Sequence, residues 1–237
     1  MRHLLTLIFI CICGFVNAQR SSLDLSTGLH YSFTTFSKDD QSQHTSTIAG
    51  EDRGIVTGQV GIHYRRRLSE TNGLRTGLRL SELGYHTMLS GLRWGTQHDG
   101  QGGFDPAFDP GQPDELSRRT NRFFLEVPLI WQRTFGARAW IPYLEAGFLP
   151  GAYLTSRSRQ EDDNGTTVTY YDESNGSVHR FQLSAALSMG IEYGLSERHA
   201  LFVQANGRHQ LRPLAEGPIK ERLYAIGIEV GVRRGLQ

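Results

Sequence analysis

From Leu23 onward, apolar and polar residues alternate with a period of two. Leu23, Leu25, Leu29, Tyr31 and Phe33 fall on one face, and Asp24, Ser26, Gly28, His30 and Ser32 on the other. Successive side chains of a strand point to opposite sides, so this pattern predicts a strand with one apolar and one polar face. The alternation recurs over Val56–Leu68, Leu74–Leu80, Phe123–Trp131, Trp140–Leu154, Phe181–Leu195, Leu201–Leu211 and Tyr224–Val232, giving eight predicted strands. In the third, Leu83, Tyr85 and Leu89 take up the apolar face with shifted parity, which requires a bulge near Ser81 or Glu82.

The connections alternate as well. Long polar links (Ser37–Arg53, Ser90–Asn121, Thr155–His179, Pro213–Glu221) take turns with short ones (Ser69–Gly73, Thr134–Ala139, Ser196–His199). An up-and-down antiparallel sheet would gather the short turns at one end and the long loops at the other, the asymmetry of bacterial outer-membrane barrels. The expected fold is therefore all-β, an eight-stranded antiparallel up-and-down transmembrane β-barrel.

Which face is wet decides between membrane and water. A secreted soluble barrel that carries a small apolar ligand would turn the apolar face inward. Three features favour the opposite sense. Several strands run to ten or more residues, which suits a tilted bilayer crossing. Glu126, Glu145, Glu192 and Glu229 share the polar faces with Arg75, Arg79, Arg180, Arg208 and Arg233, so an inward polar face would form a lumen charge network. Arginine suits such paired sites, and only Lys38 and Lys220 supply lysine. Trp131, Trp140, Tyr64 and Tyr193 cluster near the short turns as interface aromatics, while Phe33, Phe123, Phe181 and Tyr224 mark the other edge.

Composition narrows the choice further. A mean hydropathy of -0.39 and the want of repeated apolar runs of about 20 residues exclude a helical membrane bundle. The one long apolar run, Leu4–Val16, follows a basic start and precedes Val16-Asn17-Ala18; it reads as a signal peptide over 1–18, leaving the barrel domain over 19–237. Both cysteines, Cys11 and Cys13, leave with it, so no disulfide or thiolate metal site remains. A net charge of +1 gives no case for nucleic acid.

The run Phe124-Leu125-Glu126-Val127-Pro128-Leu129, followed by Pro142-Tyr143-Leu144-Glu145-Ala146-Gly147, resembles the PorT-like outer-membrane β-barrel family common in Bacteroidetes. The leader ending Ala18-Gln19 is similar to that group as well. The resemblance implies an eight-stranded barrel inserted in the outer membrane by the barrel-assembly machinery. It supplies no catalytic residue. One departure is the C-terminus, Arg233-Arg234-Gly235-Leu236-Gln237, which lacks the aromatic residue on which such barrels commonly end.

Chemistry-bearing residues are scattered. His30, His86, His98, His179 and His209 have serines nearby, but no short motif fixes a nucleophile beside a base, so a lipid-modifying enzyme (lipid A acylase, deacylase or phospholipase) is the alternative function. Asp105 and Asp109, and Glu161-Asp162-Asp163, offer oxygen ligands without an EF-hand spacing. Arg118, Arg119 and Arg122 stand near the predicted outer rim as lipopolysaccharide contacts. Arg65, Arg66 and Arg67, at the opposite rim, read as interfacial anchors and lumen partners. The expectation is an outer-membrane barrel without cofactor or open pore, in a structural, adhesive or secretion-associated role. Its partners would be outer-membrane lipid, lipopolysaccharide, and an unknown protein bound through Ser90–Asn121 and Thr155–His179.

Overall fold

The structure, a computed structural model, describes residues 21–38, 51–92, 96–98, 104–106, 113–136, 139–171, 178–214 and 219–236. The expected leader over 1–18, and Asp109, lie outside the described residues. The strands are β1 (Ser21–Lys38), β2 (Glu51–Arg67), β3 (Asn72–Leu89), β4 (Thr96–His98), β5 (Phe104–Pro106), β6 (Leu116–Glu126), β7 (Leu129–Thr134), β8 (Trp140–Asp162), β9 (Thr167–Tyr171), β10 (Phe181–Gly194), β11 (His199–Gln210) and β12 (Ile219–Leu236).

Ten of these strands form one antiparallel, barrel-like sheet in the order β10-β11-β12-β1-β2-β3-β6-β8-β7, with β9 on β8; β8 also pairs with β10, and β3 with β7. The short β4–β5 hairpin stands apart. β1 and β12 pair from Ser21 opposite Leu236 to Lys38 opposite Ile219. The fourth alternating run is divided. Pro128 has no N–H to give a ladder, so β6 stops at Glu126 and β7 resumes at Leu129. Both pieces keep the same neighbours, β3 and β8, and Val127 N donates to Pro150 O across the break at 2.8 Å.

Burial follows the alternation. On β1, Asp24, Ser26, His30 and Ser32 are buried while Leu23, Leu25, Leu29 and Tyr31 are exposed. The same inversion holds across the sheet. Leu187 is 63 % exposed, whereas Glu126, Glu145 and Glu229 are at most 2 % exposed. This overturns the soluble, apolar-lined reading: most of the dry side chains are polar and the outward band is rich in leucine, isoleucine and valine. Room inside is tight, and glycine supplies some of it. A Cβ on Gly190 would sit 2.6 Å from the hydroxyl of Tyr143, so only glycine there lets that ring cross the interior.

Two expectations about the third strand and the loops need correction. β3 keeps one parity throughout: Arg79, Ser81 and Leu83 are all buried, so no bulge occurs at Ser81 or Glu82. The irregularity lies instead on β2, between Gly54 and Gln59. Leu83 and Tyr85 belong to the interior, where Leu83, Phe124, Leu214, Leu223 and Ala225 form an apolar cluster with Tyr85, Tyr153 and Val178 against it. The long links are also shorter than expected, because β6 begins at Leu116, β8 runs on to Asp162, and β9 pairs with its far end.

Candidate functional site

The interior is built in levels, each drawing side chains from several strands. Nearest the short turns, Asp24 of β1 lies between two guanidiniums. Arg233 Nε donates to Asp24 Oδ1 at 2.8 Å, and Arg65 Nη2 donates to Asp24 Oδ2 at 3.1 Å. Arg233 also pairs with Glu192, and Arg65 reaches Gln132 and, at 3.2 Å, Glu145. One level up, Arg75 bridges two carboxylates, 3.0 Å from Glu145 Oε2 and 3.4 Å from Glu229 Oε1. Glu229 Oε2 accepts from Gln59 Nε2 at 2.8 Å and from Gln204 Nε2 at 3.0 Å, and Tyr143 donates its hydroxyl to Gln204 Oε1 at 3.0 Å.

The third level centres on Glu126, at the lower end of β6 just above the Pro128 break. Arg79 Nε donates to its Oε2 at 2.9 Å and Ser81 Oγ at 3.0 Å, while Arg208 pairs with the other oxygen. Arg208 Nη2 also donates to Ser184 Oγ at 3.1 Å. Burying ions costs several kcal/mol each unless they are paired and hydrogen-bonded. Here acid and base alternate in space, so every carboxylate of the network faces at least one guanidinium. Above this level come the apolar cluster and then the Arg122–Glu221 pair, with the Arg122 guanidinium 5.6 Å from the centre of the Tyr85 ring.

The structure thus brings together Glu126, Glu145, Glu192, Glu229, Arg75, Arg79, Arg208 and Arg233. It leaves out Arg180, which is exposed: β10 begins only at Phe181, so strand alternation does not govern the residue before it. Residues not picked out for the network join it, namely Asp24, Gln59, Gln132, Gln204 and Tyr143. Asp24 was recognisable by parity, since it shares a face with Ser26 and His30.

The rims divide likewise. Trp131, Trp140, Tyr64 and Tyr193 all face outward near the short turns, and the rings of Trp140 and Tyr193, opposite one another on β8 and β10, are 4.5 Å apart. At the long-loop end Arg118, Arg119 and Arg122 do not act as one cluster. Arg119 points outward and is exposed, whereas Arg118 and Arg122 are half-buried and share parity with buried Thr120 and Phe124. Among the histidines, His86 Nε2 lies 2.7 Å from Ser117 Oγ, and no carboxylate among the described residues reaches its other ring nitrogen. In the acidic turn, Asp162 Oδ1 accepts from Thr166 N at 2.7 Å and Asp163 Oδ2 from Asp114 N at 3.1 Å.

A sheet polar inside and apolar outside suits a lipid bilayer, and comparison of the sequence with protein families gives the same answer. Residues 17–216 match the family described as the outer membrane protein beta-barrel domain. The chain belongs to that family. Membership puts this outer membrane protein beta-barrel domain in the bacterial outer membrane, with the exposed leucines and isoleucines toward lipid. No curated protein matches it in sequence. Among solved structures, the outer membrane protease OmpT from Escherichia coli is similar at 10 % identity and a TM-score of 0.49, over 92 % of this chain and 97 % of that one. OprG from Pseudomonas aeruginosa is similar at 10 % identity and a TM-score of 0.39, over 93 % and 98 %. Ail of Yersinia pestis is similar at 9 % identity and a TM-score of 0.34, over 90 % and 98 %.

Proposed function

We propose that this integral outer-membrane protein is a closed barrel of eight staves without an open pore, and that it serves as a structural or adhesive platform, or as part of a secretion assembly. The staves are β1, β2, β3, β6 with β7, β8, β10, β11 and β12, and the β8–β10 pairing joins the ends of the sheet. Eight strands leave an interior only wide enough for side chains. The observation that carries the reading is the filled interior: Glu126 clamped between Arg79 and Arg208, with Leu83, Phe124 and Leu214 stacked above. Export would use the leader over 1–18 and insertion the barrel-assembly machinery, with Trp131, Trp140, Tyr64 and Tyr193 resting at the periplasmic interface. The two segments that carry the PorT-like resemblance fall on neighbouring staves, the first on β6 and β7 and the second on β8.

The test is conductance together with partner capture. Full-length protein reconstituted in planar bilayers is expected to pass no ion current above the bare-lipid level, and stable single-channel steps would overturn the closed reading. Cross-linking through the long loops in intact outer membranes is expected to capture a defined protein partner; a chain found only with lipid would end the assembly role. A lipid-modifying activity is the second reading, favoured by the Ser117–His86 contact. The same reconstituted protein would then release fatty acid from the vesicle lipid, and Ser117→Ala would stop it.

A further inference from the structure

The outward face of β3, β6 and β8 changes character at Phe123. Below it, toward the short turns, Leu80, Leu125, Val127 and Leu154 are exposed and apolar. Above it the same face turns basic. Across this boundary Phe123 lies opposite Glu82 on β3 and Thr155 on β8; two residues higher Asn121 lies opposite Arg157, and two higher again Arg119 lies opposite Arg159. Phe123 to Trp131 is nine residues, the lower end of the roughly 9–11 with which a tilted strand crosses a bilayer. Arg119, Arg157 and Arg159 therefore stand at the level of the outer-leaflet headgroups.

These arginines are differently employed from those inside. Among the described residues Arg119 donates only to neutral oxygens, Asn121 Oδ1 at 3.3 Å and the Val56 carbonyl at 3.4 Å. Arg159 has, among the described residues, a single acid, Glu161, at 3.6 Å, with both side chains more than half exposed, a contact that solvent largely screens. Arg157 is exposed, and no carboxylate among the described residues pairs with it. The carboxylate at the floor, Glu82, is engaged by the Asn121 amide. Glu82, Arg119, Asn121, Phe123, Arg157 and Arg159 enclose a cavity of about 250 Å³ that opens outward.

We propose that this cavity binds the phosphate of a phosphorylated glycolipid of the outer leaflet. Guanidiniums recognise phosphate oxygens through paired, charge-assisted hydrogen bonds. Arg119 and Arg159, opposite one another on neighbouring strands, flank such a group, and Arg157 closes it from below. The acyl chains would run down the apolar face through Phe123, Leu125 and Leu154. This site reassigns the lipid contact from Arg118 and Arg122, which turn toward the interior, to Arg157 and Arg159. It rests on the membrane placement of the chain and not on the closure of the barrel.

The test uses the full chain refolded in detergent micelles, with diphosphorylated lipid A as probe and enzymatically dephosphorylated lipid A as control. Retained lipid is measured after gel filtration. The diphosphorylated form is expected to bind at least about tenfold more tightly, since a hydrogen bond to a charged group is worth that much or more. The triple variant Arg119→Gln, Arg157→Gln, Arg159→Gln should bind both forms equally, while the corresponding Arg→Lys triple keeps much of the preference. Retained heat-modifiable migration on gels reports that each variant is folded. Arg67→Gln, at the short-turn rim, should change nothing. Undiminished preference in the Gln triple overturns the site. Competition by millimolar inorganic phosphate alone would also overturn it, by making this a free-anion site instead of a lipid site.

Discussion

Two halves of the interior solve the packing problem by opposite chemistry. Between the short turns and Ser81 the enclosed side chains are ionic, with Asp24, Glu145, Glu229 and Glu126 set among Arg233, Arg65, Arg75, Arg79 and Arg208. Beyond Ser81, toward the long loops, Leu83, Phe124, Leu223 and Ala225 close the space with hydrocarbon, and Leu214 reaches in from outside the strands. The ionic half is drawn entirely from strand residues that ladders hold in register. A lattice of fixed charges needs that rigidity, because a carboxylate displaced by an ångström loses the partners that offset its desolvation. The apolar half is less directional and can accept a loop residue.

The largest expected effect follows from removing one node of the ionic half. Glu126→Ala leaves Arg79 and Arg208 buried against each other with no carboxylate between them, and breaking such a buried pair costs about 3–5 kcal/mol. Urea titration of folding into phosphatidylcholine vesicles measures this. A loss below about 1 kcal/mol, the worth of an exposed pair, would mean that water enters the ionic half freely and that the two halves do not differ as argued.

Moving the charge through the wall sharpens the same contrast. Leu187 lies opposite Gly207, next to Arg208, at the same depth as the Glu126 level but on the outward side. Leu187→Arg should cost about 2–4 kcal/mol near the bilayer midplane. In the same titration an unchanged midpoint would contradict a lipid-facing position for Leu187. The guanidinium is the same in both places; its surroundings decide whether it stabilises or destabilises.

How much of this was legible in the sequence depends on which half is considered. The period of two marked the lipid-facing residues and the Glu and Arg residues of the ionic half, because lipid and a polar interior impose opposite demands on alternate positions. That signal fails where both sides are alike. Leu83 is apolar and inside, so assigning it to the outward face forced a bulge at Ser81 that β3 does not have. Past the membrane both faces carry polar residues, and Ser156, Arg157, Ser158, Arg159 and Gln160 alternate in burial but not in polarity; the upper part of β8 therefore reads as loop. Arg157 and Arg159, which line the outward-opening cavity, carried no signal for that reason. Arg180 failed differently, since parity was extended one residue beyond the strand that enforces it. Leu214 carried no signal at all: its burial depends on a tertiary contact, with His179 N donating to its carbonyl at 2.9 Å and its own N–H donating to Glu221 O at 2.9 Å.

That contact gives the smallest of the expected changes. Leu214 is 1 % exposed, and Leu→Ala at buried sites costs about 2–5 kcal/mol, with the lower figures where the surroundings can collapse. Leu214 sits on a connection and not on a laddered strand, so Leu214→Ala should fall near about 2 kcal/mol. Hydrogen exchange then separates the halves. The amide of His179, which donates to the Leu214 carbonyl, and that of Leu223, which donates to Gln210 Oε1 at 2.9 Å, should lose protection. The amides of Arg75 and Glu229 should keep theirs, because the ionic half is held by its own partners. Equal loss in both regions would mean that the interior opens as one cooperative unit, with the apolar cap supporting the charges beneath it.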